Sequence, residues 1–256
     1  MQLTYYGANS WLLEFESLRI LIDPWLVETL TFGGQAWLFE GSHRHPITIP
    51  DNIDLILLSQ GLEDHTHRPT LAKLSKQIPV VASVSAAAIA QQLGFLNISP
   101  LKPGETYELE SPNGLGGQLQ IRATKGAPVP QVENGYVIQG QASGKTLYYE
   151  PHGYGDPVLA QYSPIDVVIT PIVDLGLPLV GAIVRGGDRT AQLLETVQAR
   201  YILPTAAGGA IAYSGILDKL LQTQGDAEEF RRRLQTRGLA TELLIPKDQE
   251  TLTIAA

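Results

Sequence analysis

Three short apolar runs open the chain, at residues 2–6, 11–15 and 19–22, and turn-forming residues separate each run from the next. Runs of this length that are rich in aromatic and aliphatic side chains are typical of β-strands. The pattern therefore predicts three consecutive antiparallel strands. A continuous apolar run follows at residues 53–58, and it indicates a strand that is buried on both faces.

Between these strands, residues 25–50 show no hydrophobic period, although they contain two tryptophans, two phenylalanines and two histidines. A stretch of this length without secondary structure is usually functional in a compact domain, so we expect a long functional loop. Residues 69–77 and 85–93 have helical spacing, and a buried apolar run at residues 79–82 lies between them. This order predicts alternating strands and helices.

In the remainder of the chain the hydrophobic pattern is first typical of strands alone and then of strands that alternate with helices. Residues 106–149 alternate, with Gly-rich turns at residues 113–117 and 140–145, which predicts an antiparallel sheet. Further elements are predicted as strands at residues 166–170, 201–203, 242–245 and 252–254 and helices at residues 189–199 and 226–235. Because strand-rich parts mix with βα units in both halves, we predict an α/β (α+β) fold with two packed sheets covered outside by helices. We expect one domain over residues 1–256.

Composition and charge narrow the classes of function. The formal net charge is −8 and the sequence pI is about 5.1, whereas nucleic-acid binding rests on a basic surface, so we expect no nucleic-acid partner. Apolar runs fall short of the roughly 18 residues of a membrane span, and the start lacks a basic segment followed by an apolar one. We therefore expect a cytoplasmic protein without membrane contact, and a homo-oligomer is left open. The absence of cysteine leaves His, Asp and Glu to carry any metal chemistry.

The segment LLSQGLEDH, at residues 57–65, directly follows the buried strand. It resembles the S-H-x-H-x-D-H motif of the metallo-β-lactamase superfamily. The opening is similar to the same superfamily, because YGANS at residues 6–10 stands where G-H-x-S commonly occurs and ILIDP at residues 20–24 matches its I-L-I-D-P. Residues 133–136 and 147–150 follow the family order of a strand that ends at the bridging acidic ligand.

The resemblance spans most of the chain. It is nearest to predicted metal-dependent hydrolases related to ascorbate-6-phosphate lactonases, in a subgroup of oxygenic phototrophs with S-Q-G-L-x-D-H and E-P-H. It implies the metallo-β-lactamase fold, a four-layer αββα sandwich. In the family, alternating histidines after the strand converge on one metal, and the following Asp-His pair faces a second metal.

This sequence departs from the family pattern at several ligand positions. Gln60 and Leu62 replace the first two histidines, and residues 126–127 and 204–206 lack the later ones. Loss of even one outer-shell partner typically lowers metal affinity or activity about 10- to 100-fold. A two-zinc site is therefore not expected.

Four ligand-type residues remain in the matching segments, namely Asp64, His65, Glu150 and His152. With two oxygen and two nitrogen ligands, they predict a rearranged site for one zinc, manganese or iron ion. The resemblance then implies a metal-activated water, with Asp64 and Glu150 in catalysis, that attacks an ester, lactone or phosphoester. The alternative is a non-catalytic, metal-free small-molecule-binding or scaffold protein in which these residues only hydrogen-bond to one another.

Other residues are candidates for supporting roles. We expect Gln60, His67 and Trp25 to contact a small-molecule substrate or ligand. Asp23 is expected either to orient a ligand histidine or to cap the turn after its strand. Asp188 precedes a predicted helix, and we favour it as the helix N-cap over an anion site at the adjacent glycines.

Overall fold

A computed structural model describes residues 1–111, 117–128, 132–178, 181–206 and 208–254. Most of the turn predicted at residues 113–117 therefore lies outside the described residues. Within the described ranges the chain forms short strands and a smaller number of helices, as the sequence pattern indicates.

The strands of the first half are β1 (Gln2–Gly7), β2 (Ser10–Phe15), β3 (Leu18–Ile22), β4 (Leu30–Thr31), β5 (Glu40–His43), β6 (Leu55–Leu58), β7 (Val80–Ala82) and β8 (Ile98–Pro100). The later strands are β9 (Thr106–Glu110), β10 (Gln118–Lys125), β11 (Asn134–Gly140), β12 (Thr146–Tyr149), β13 (Val167–Ile169), β14 (Asp174–Leu177), β15 (Gly181–Val184), β16 (Tyr201–Leu203), β17 (Ile211–Ser214), β18 (Gln222–Gln224), β19 (Glu242–Leu243) and β20 (Thr251–Thr253). The helices are α1 (Arg68–Lys73), α2 (Val84–Gln92), α3 (Gly187–Val197), α4 (Ile216–Leu220) and α5 (Ala227–Thr236), with a 3-10 helix at Pro157–Tyr162. None of the described helices is long and apolar enough to cross a membrane.

Most of the strands form two seven-stranded sheets. The first sheet has the order β20-β1-β2-β3-β6-β7-β8, and the second has the order β9-β10-β11-β12-β13-β16-β19. In both sheets the first four strands pair antiparallel, and the last three are added in parallel. The sheets therefore match strand for strand, so that β3 corresponds to β12 and β6 corresponds to β13.

Three apolar cores hold the layers together. The central core lies between the sheets and includes the fully buried Trp11 and Tyr149. A second core joins the first sheet to α1 and α2 through side chains such as Leu71, and a third joins the second sheet to α3 and α5 through Leu194 and Phe230. Because full burial of one such side chain stabilises a fold by about 1.5–3 kcal/mol, these cores account for the predicted four-layer αββα sandwich.

The region predicted as a long loop, residues 25–50, is partly structured. β5 pairs with both β4 and β17 to form a small sheet, and β14, β15 and β18 form another. Glu40–His43 and Gln222–Gln224 have polar or glycine-containing sequences, so they lack the apolar pattern that would mark them as strands. Helix α1 also ends before the predicted boundary, because Leu74 has an extended backbone.

One carboxylate joins the two sheets at the end where β3 and β12 begin. Glu16, in the turn between β2 and β3, accepts hydrogen bonds from Ser143 N at 2.7 Å and Ala142 N at 3.1 Å. Ser143 and Ala142 lie in the turn between β11 and β12. Partial burial acts to raise the pKa of Glu16, but these hydrogen bonds outweigh it and hold the pKa below its ordinary value.

Candidate functional site

The parallel strands of both sheets bring their carboxyl ends to one edge of the sandwich. Asp23 follows β3, Ser59 follows β6, Glu150 follows β12 and Thr170 follows β13. All four are almost completely buried. A buried polar residue at each of these strand ends is costly unless it is hydrogen-bonded, so the partners of each side chain indicate what the site can do.

Asp23 is the most fully bonded residue of the site. Its carboxylate accepts hydrogen bonds from Ser59 N at 2.7 Å, from the Ser59 hydroxyl, and from Tyr149 OH at 2.6 Å. It also lies 2.7 Å from Nδ1 of His65. Of the two roles considered for Asp23, this geometry favours orientation of a histidine over capping of a turn.

His65 lies between two carboxylates. Its Nε2 atom is 3.1 Å from Oδ2 of Asp64, while Nδ1 faces Asp23. Burial acts to lower the pKa of His65, but the charges of Asp64 and Asp23 outweigh it and raise the pKa to about 10. Burial likewise acts to raise the pKa of Asp64, and the neighbouring His65 outweighs it and lowers the pKa. Asp23 and His65 are fully buried and the Asp64 side chain is 23% exposed, so the row of three groups runs from the interior towards the surface.

Glu150 and His152 come from the second half of the chain. Oε2 of Glu150 accepts a hydrogen bond from Tyr154 N at 2.6 Å, whereas Oε1 has no partner among the described residues and lies 4.0 Å from Nδ1 of His152. Burial raises the pKa of Glu150 to about 7, and burial together with the charge of His65 lowers the pKa of His152 to about 3. The ring centroids of His65 and His152 are 5.0 Å apart, so residues from the two halves of the chain meet at this site.

Gln60 belongs to the same cluster. Its side chain is buried, and Nε2 lies 3.1 Å from Nε2 and 3.2 Å from Nδ1 of His152. Oε1 of Gln60 has no hydrogen-bond partner among the described residues. Leu62 contributes its backbone carbonyl, which accepts hydrogen bonds from the amides of His65 and Thr66 and so closes the turn that presents Asp64 and His65.

The two segments in which the resemblance expects later histidines, residues 126–127 and 204–206, carry residues that form structural hydrogen bonds. Ala127 is buried, and its carbonyl accepts a hydrogen bond from Glu133 N at 2.9 Å. Thr205 donates to Ala8 O at 2.9 Å and lies 3.3 Å from Oδ1 of Asn9.

Asn9 and Tyr149 are site residues that the sequence reasoning missed. The Nδ2 atom of Asn9 lies 3.4 Å from Asp64 Oδ2 and 3.4 Å from His65 Nε2. Tyr149 reaches Asp23 across the central core, as described above. Asn9 stands within the YGANS segment and Tyr149 directly precedes Glu150, so both lay in segments already singled out for their resemblance.

His67 and Trp25, predicted to contact a substrate, lie in a different part of the interior. The ring nitrogens of His67 face Thr70 Oγ1 at 3.0 Å and Thr29 O at 3.3 Å. Trp25 is fully buried and donates from Nε1 to Glu28 O at 3.1 Å. Their contact with a substrate stays a prediction, and the structure brings only Gln60 of the three into the Asp64 and Glu150 cluster.

The predicted N-cap at Asp188 is wrong. The cap of α3 is Gly186, which has no side chain to accept a hydrogen bond, and Asp188 lies inside the first helical turn. There its carboxylate is 3.3 Å from a guanidinium nitrogen of Arg237 on the segment after α5. The acid therefore pairs with a neighbouring basic side chain.

The cluster offers two imidazoles, from His65 and His152. Gln60, Leu62, Ala127 and Thr205, in the segments where the resemblance expects ligand histidines, supply no further imidazole. The 3.1 Å between His65 Nε2 and Asp64 Oδ2 is the distance of a hydrogen-bonded ion pair, so His65 would have to give up its Nε2 proton before it could bind a metal ion. In the described part of the chain, Oδ1 of Asp64 and Oε1 of Glu150 are buried without hydrogen-bond partners. Among the described residues, however, no three His, Asp or Glu side chains already form a group that could hold a metal ion.

Comparison with known proteins gives the same fold. The β-lactamase superfamily domain model matches residues 2–206. The chain is 24% identical to a metal-dependent hydrolase of Methanopyrus kandleri, over 98% of this chain and 99% of that protein. It is 25% identical to a metal-dependent hydrolase of Carboxydothermus hydrogenoformans, over 80% and 83% of the respective chains. The isothiocyanate hydrolase from Delia radicum gut bacteria has a similar structure, with a TM-score of 0.71 and 21% identity over the whole of both chains.

Proposed function

We propose a function on the premise that this chain belongs to the metallo-β-lactamase superfamily, whose domain model matches most of it. The chain acts as a hydrolase that uses one divalent metal ion, zinc, manganese or iron, at the remnant of an eroded two-metal site. Asp64, His65 and Glu150 hold the ion, with His152 beside them, and the substrate is an ester, lactone or phosphoester. The names of the two sequence relatives, both metal-dependent hydrolases, support this proposal.

One observation carries the proposal. Asp64 and Glu150 come from opposite halves of the chain, and each places a buried carboxylate oxygen without a partner in the cluster around His65 and His152. An unpartnered buried carboxylate oxygen is expensive. A bound cation would satisfy both oxygens at once, after Glu150 moves towards the Asp64 and His65 pair.

The chain's own residues prepare this site. The Asp23 carboxylate accepts a hydrogen bond from Nδ1–H of His65, and this bond turns Nε2 towards Asp64. Tyr149 and Ser59 hold the Asp23 carboxylate in place, so that the ring orientation is set before any ligand arrives. A divalent ion bound there would lower the pKa of a coordinated water to near neutral pH. The ion would also polarise the carbonyl or phosphoryl oxygen of the substrate.

Metal content tests the proposal directly. Protein purified without a metal-affinity tag and supplemented with zinc, manganese or iron is expected to retain about one equivalent by mass spectrometry of the metal. The Asp64→Ala variant should lose at least about nine-tenths of it, because an inner ligand is removed. Less than about a tenth of an equivalent in the parent protein would overturn the proposal.

A matched control uses another aspartate. Asp51 is exposed and lies before β6, at the end of that strand away from Asp64. Asp51→Ala should therefore keep the full metal content. Hydrolysis of a panel of nitrophenyl esters, lactones and nitrophenyl phosphates should follow the metal content across the parent, the Asp64 variant and this control.

A second candidate function is favoured by the environment of His65. Both of its ring nitrogens already face carboxylates, and Gln60 and Leu62 stand where ligand histidines occur in the family. These features support a metal-free protein that binds a small molecule without chemistry. Hydrolysis that disappears in Asp64→Ala and depends on added metal in the parent protein would rule this candidate out.

A further inference from the structure

We propose that Tyr213 is a specificity-determining residue of the candidate site, and that its ring packs against an aromatic group of the substrate. Tyr213 lies on β17, in the small sheet that β17 forms with β5 and β4. The inference deepens the proposed function by naming a substrate class, and it rests on that function only for the hydrolytic step. Binding of an aromatic group would serve the metal-free candidate equally well.

The position of β17 is the first reason. The backbone N–H of Ala8, in the turn between β1 and β2, donates to the carbonyl of Gly208 at 3.1 Å, shortly before β17 begins. A Cβ atom at Gly7 would lie 3.1 Å from Cδ1 of Ile211, the first residue of β17. The same turn contacts the charged residues of the site through Asn9, as described above. The start of β17 is therefore packed against a segment of the site.

The direction of the Tyr213 side chain is the second reason. Side chains two residues apart on a strand point to the same side, so Tyr213 faces the same side as Ile211. A Cβ atom at Gly41, the register partner of Tyr213, would lie 3.2 Å from Cε1 of Tyr213 and 2.8 Å from Cη2 of Trp25. Gly41 thus leaves room for both rings, and the Tyr213 ring lies over the small sheet on its inner side.

Charge and a backbone contact relate this sheet to Asp64. Burial raises the pKa of Tyr213, and the charges of Asp64 and Asp218 raise it further. Because such interactions weaken with distance, the Tyr213 hydroxyl lies towards Asp64. On another side of the small sheet, the backbone N–H of Gly33, in the connection between β4 and β5, donates to Oε1 of Glu63 at 3.0 Å. Glu63 directly precedes Asp64, so the small sheet is joined to the site at two places.

The aromatic neighbours of Tyr213 indicate the class of group that it would bind. The ring centroid of Phe39 is 5.6 Å from that of Tyr213, and the ring centroid of Phe32 is 5.1 Å from that of Phe39. Phe39 is only 7% exposed, whereas Tyr213 is 38% exposed. The row of rings therefore ends at Tyr213, and an aromatic group of a substrate would extend it by one ring in the tilted geometry that aromatic pairs prefer.

Hydrolysis of two matched esters tests the selectivity. Methyl phenylacetate and methyl cyclohexylacetate differ only in whether the ring of the acyl group is aromatic. The parent protein, supplemented with metal, should prefer the phenyl ester in kcat/KM, and Tyr213→Leu should lower this preference by about 3- to 10-fold. Tyr213→Phe, which keeps the ring, should retain the preference. An unchanged preference in a folded Tyr213→Leu protein would overturn the inference.

Tyr107 on β9 provides the matched control. It lines a cavity together with Ile53 and Asp54, which precede β6 at the end of that strand away from Asp64. Tyr107→Leu should therefore leave the preference for the phenyl ester unchanged. An equal loss of preference in this control would show that the effect of Tyr213→Leu is not local, and it would contradict the inference.

Fluorine NMR tests the binding of an aromatic group without hydrolysis. In protein labelled with 3-fluorotyrosine, the resonance that is missing from Tyr213→Phe identifies Tyr213. Phenylacetamide should shift this resonance, because a neighbouring aromatic ring changes the local magnetic field, and cyclohexylacetamide should shift it less. Equal shifts, or none, would overturn the inference. If Tyr213→Leu does not fold, this measurement on the parent protein decides.

The inference and the proposed function can fail separately. Ester hydrolysis by the parent protein without a selective fluorine shift would leave the proposed function and remove the inference. A selective shift without hydrolysis of any ester by the metal-supplemented parent would remove the proposed function, and the aromatic binding site would remain as part of the metal-free candidate.

Discussion

Asp23 and Glu150 occupy equivalent places in the two sheets, one residue beyond β3 and β12. The backbone N–H of Asp23 donates to Leu57 O at 3.0 Å, and that of Glu150 donates to Ile169 O at 3.0 Å. Leu57 and Ile169 are the register partners of the residues just before each acid. The two backbones are therefore alike, yet the carboxylate of Asp23 is fully bonded, whereas one oxygen of Glu150 has no hydrogen-bond partner in the part of the chain that the structure describes.

The difference arises from the hydroxyl residue that follows the neighbouring strand. Ser59, after β6, donates from both its amide and its hydroxyl to the Asp23 carboxylate. Thr170, at the equivalent place after β13, donates instead to the backbone carbonyl of Glu150 at 2.8 Å. The fold thus places the two acids in the same way. They differ because Ser59 donates to the carboxylate of Asp23, whereas Thr170 donates to the backbone carbonyl of Glu150 and leaves its carboxylate without that bond.

The largest expected difference between Asp23 and Glu150 is in the free energy of unfolding that is lost when each is replaced. Asp23→Ala removes the acceptor of four buried donors, namely Ser59 N, the Ser59 hydroxyl, Tyr149 OH and His65 Nδ1, and should lower the free energy of unfolding by about 3–5 kcal/mol, as for other broken buried ion pairs. Glu150→Gln should change it by less than about 1 kcal/mol, because one of its oxygens forms no bond. Urea unfolding of the metal-free proteins measures both, and equal losses would show that the two acids do not differ in role.

A smaller effect is expected from two adjacent tyrosines on β12. Tyr149 points into the central core and donates to Asp23, so Tyr149→Phe should lower the free energy of unfolding by about 1.5–3 kcal/mol. Tyr148 points towards the helices, and its hydroxyl makes no hydrogen bond of ordinary geometry with the described residues. Tyr148→Phe is therefore the matched control, and thermal unfolding should show it within about 0.5 kcal/mol of the parent.

The smallest effect concerns the opposite end of the sandwich, where the equivalent turns of the two sheets meet at Glu16. Because the pKa of Glu16 is lower in the folded chain, its contribution is present above the unfolded pKa of about 4.3 and is lost as the pH falls through the folded value. Since Glu16 is partly exposed and screened, the contribution should stay below about 1 kcal/mol.

Urea unfolding of the parent and of Glu16→Gln between pH 3 and 7 measures this contribution. The difference between the two proteins should shrink as the pH falls. A difference that grows towards acid pH would contradict the assigned direction of the pKa shift.

Much of the fold follows from the apolar pattern. The strands β1, β2 and β3 lie within one or two residues of the predicted runs, because each buries large side chains in a core. The strands of the two small sheets were not predicted. β5 and β18 bury few apolar side chains and are held by backbone pairing, so their positions depend on partners that are distant in sequence.

Some residues of the candidate site could likewise be predicted from the sequence, and others could not. The resemblance at residues 57–65 and 147–150, with E-P-H at residues 150–152, identified the segments that the fold brings together, including Gln60 and His152. The contribution of Asn9 depends on contacts 55 and 56 residues away along the chain. That of Tyr149 depends on a contact 126 residues away. Such pairings are absent from any local pattern, since they exist only once the sheets have packed.

The pairing of β1 with β20 has a consequence for synthesis. Thr4 and Thr251 are 247 positions apart, yet their hydroxyls meet at 2.7 Å across this pair. While the nascent chain is still being translated, the outer edge of β1 lacks its neighbour until β20 has left the ribosome. Although the two sheets repeat one topology, the amino-terminal one is completed only after the other has been made, so the halves are not expected to mature one after the other as separate folding units.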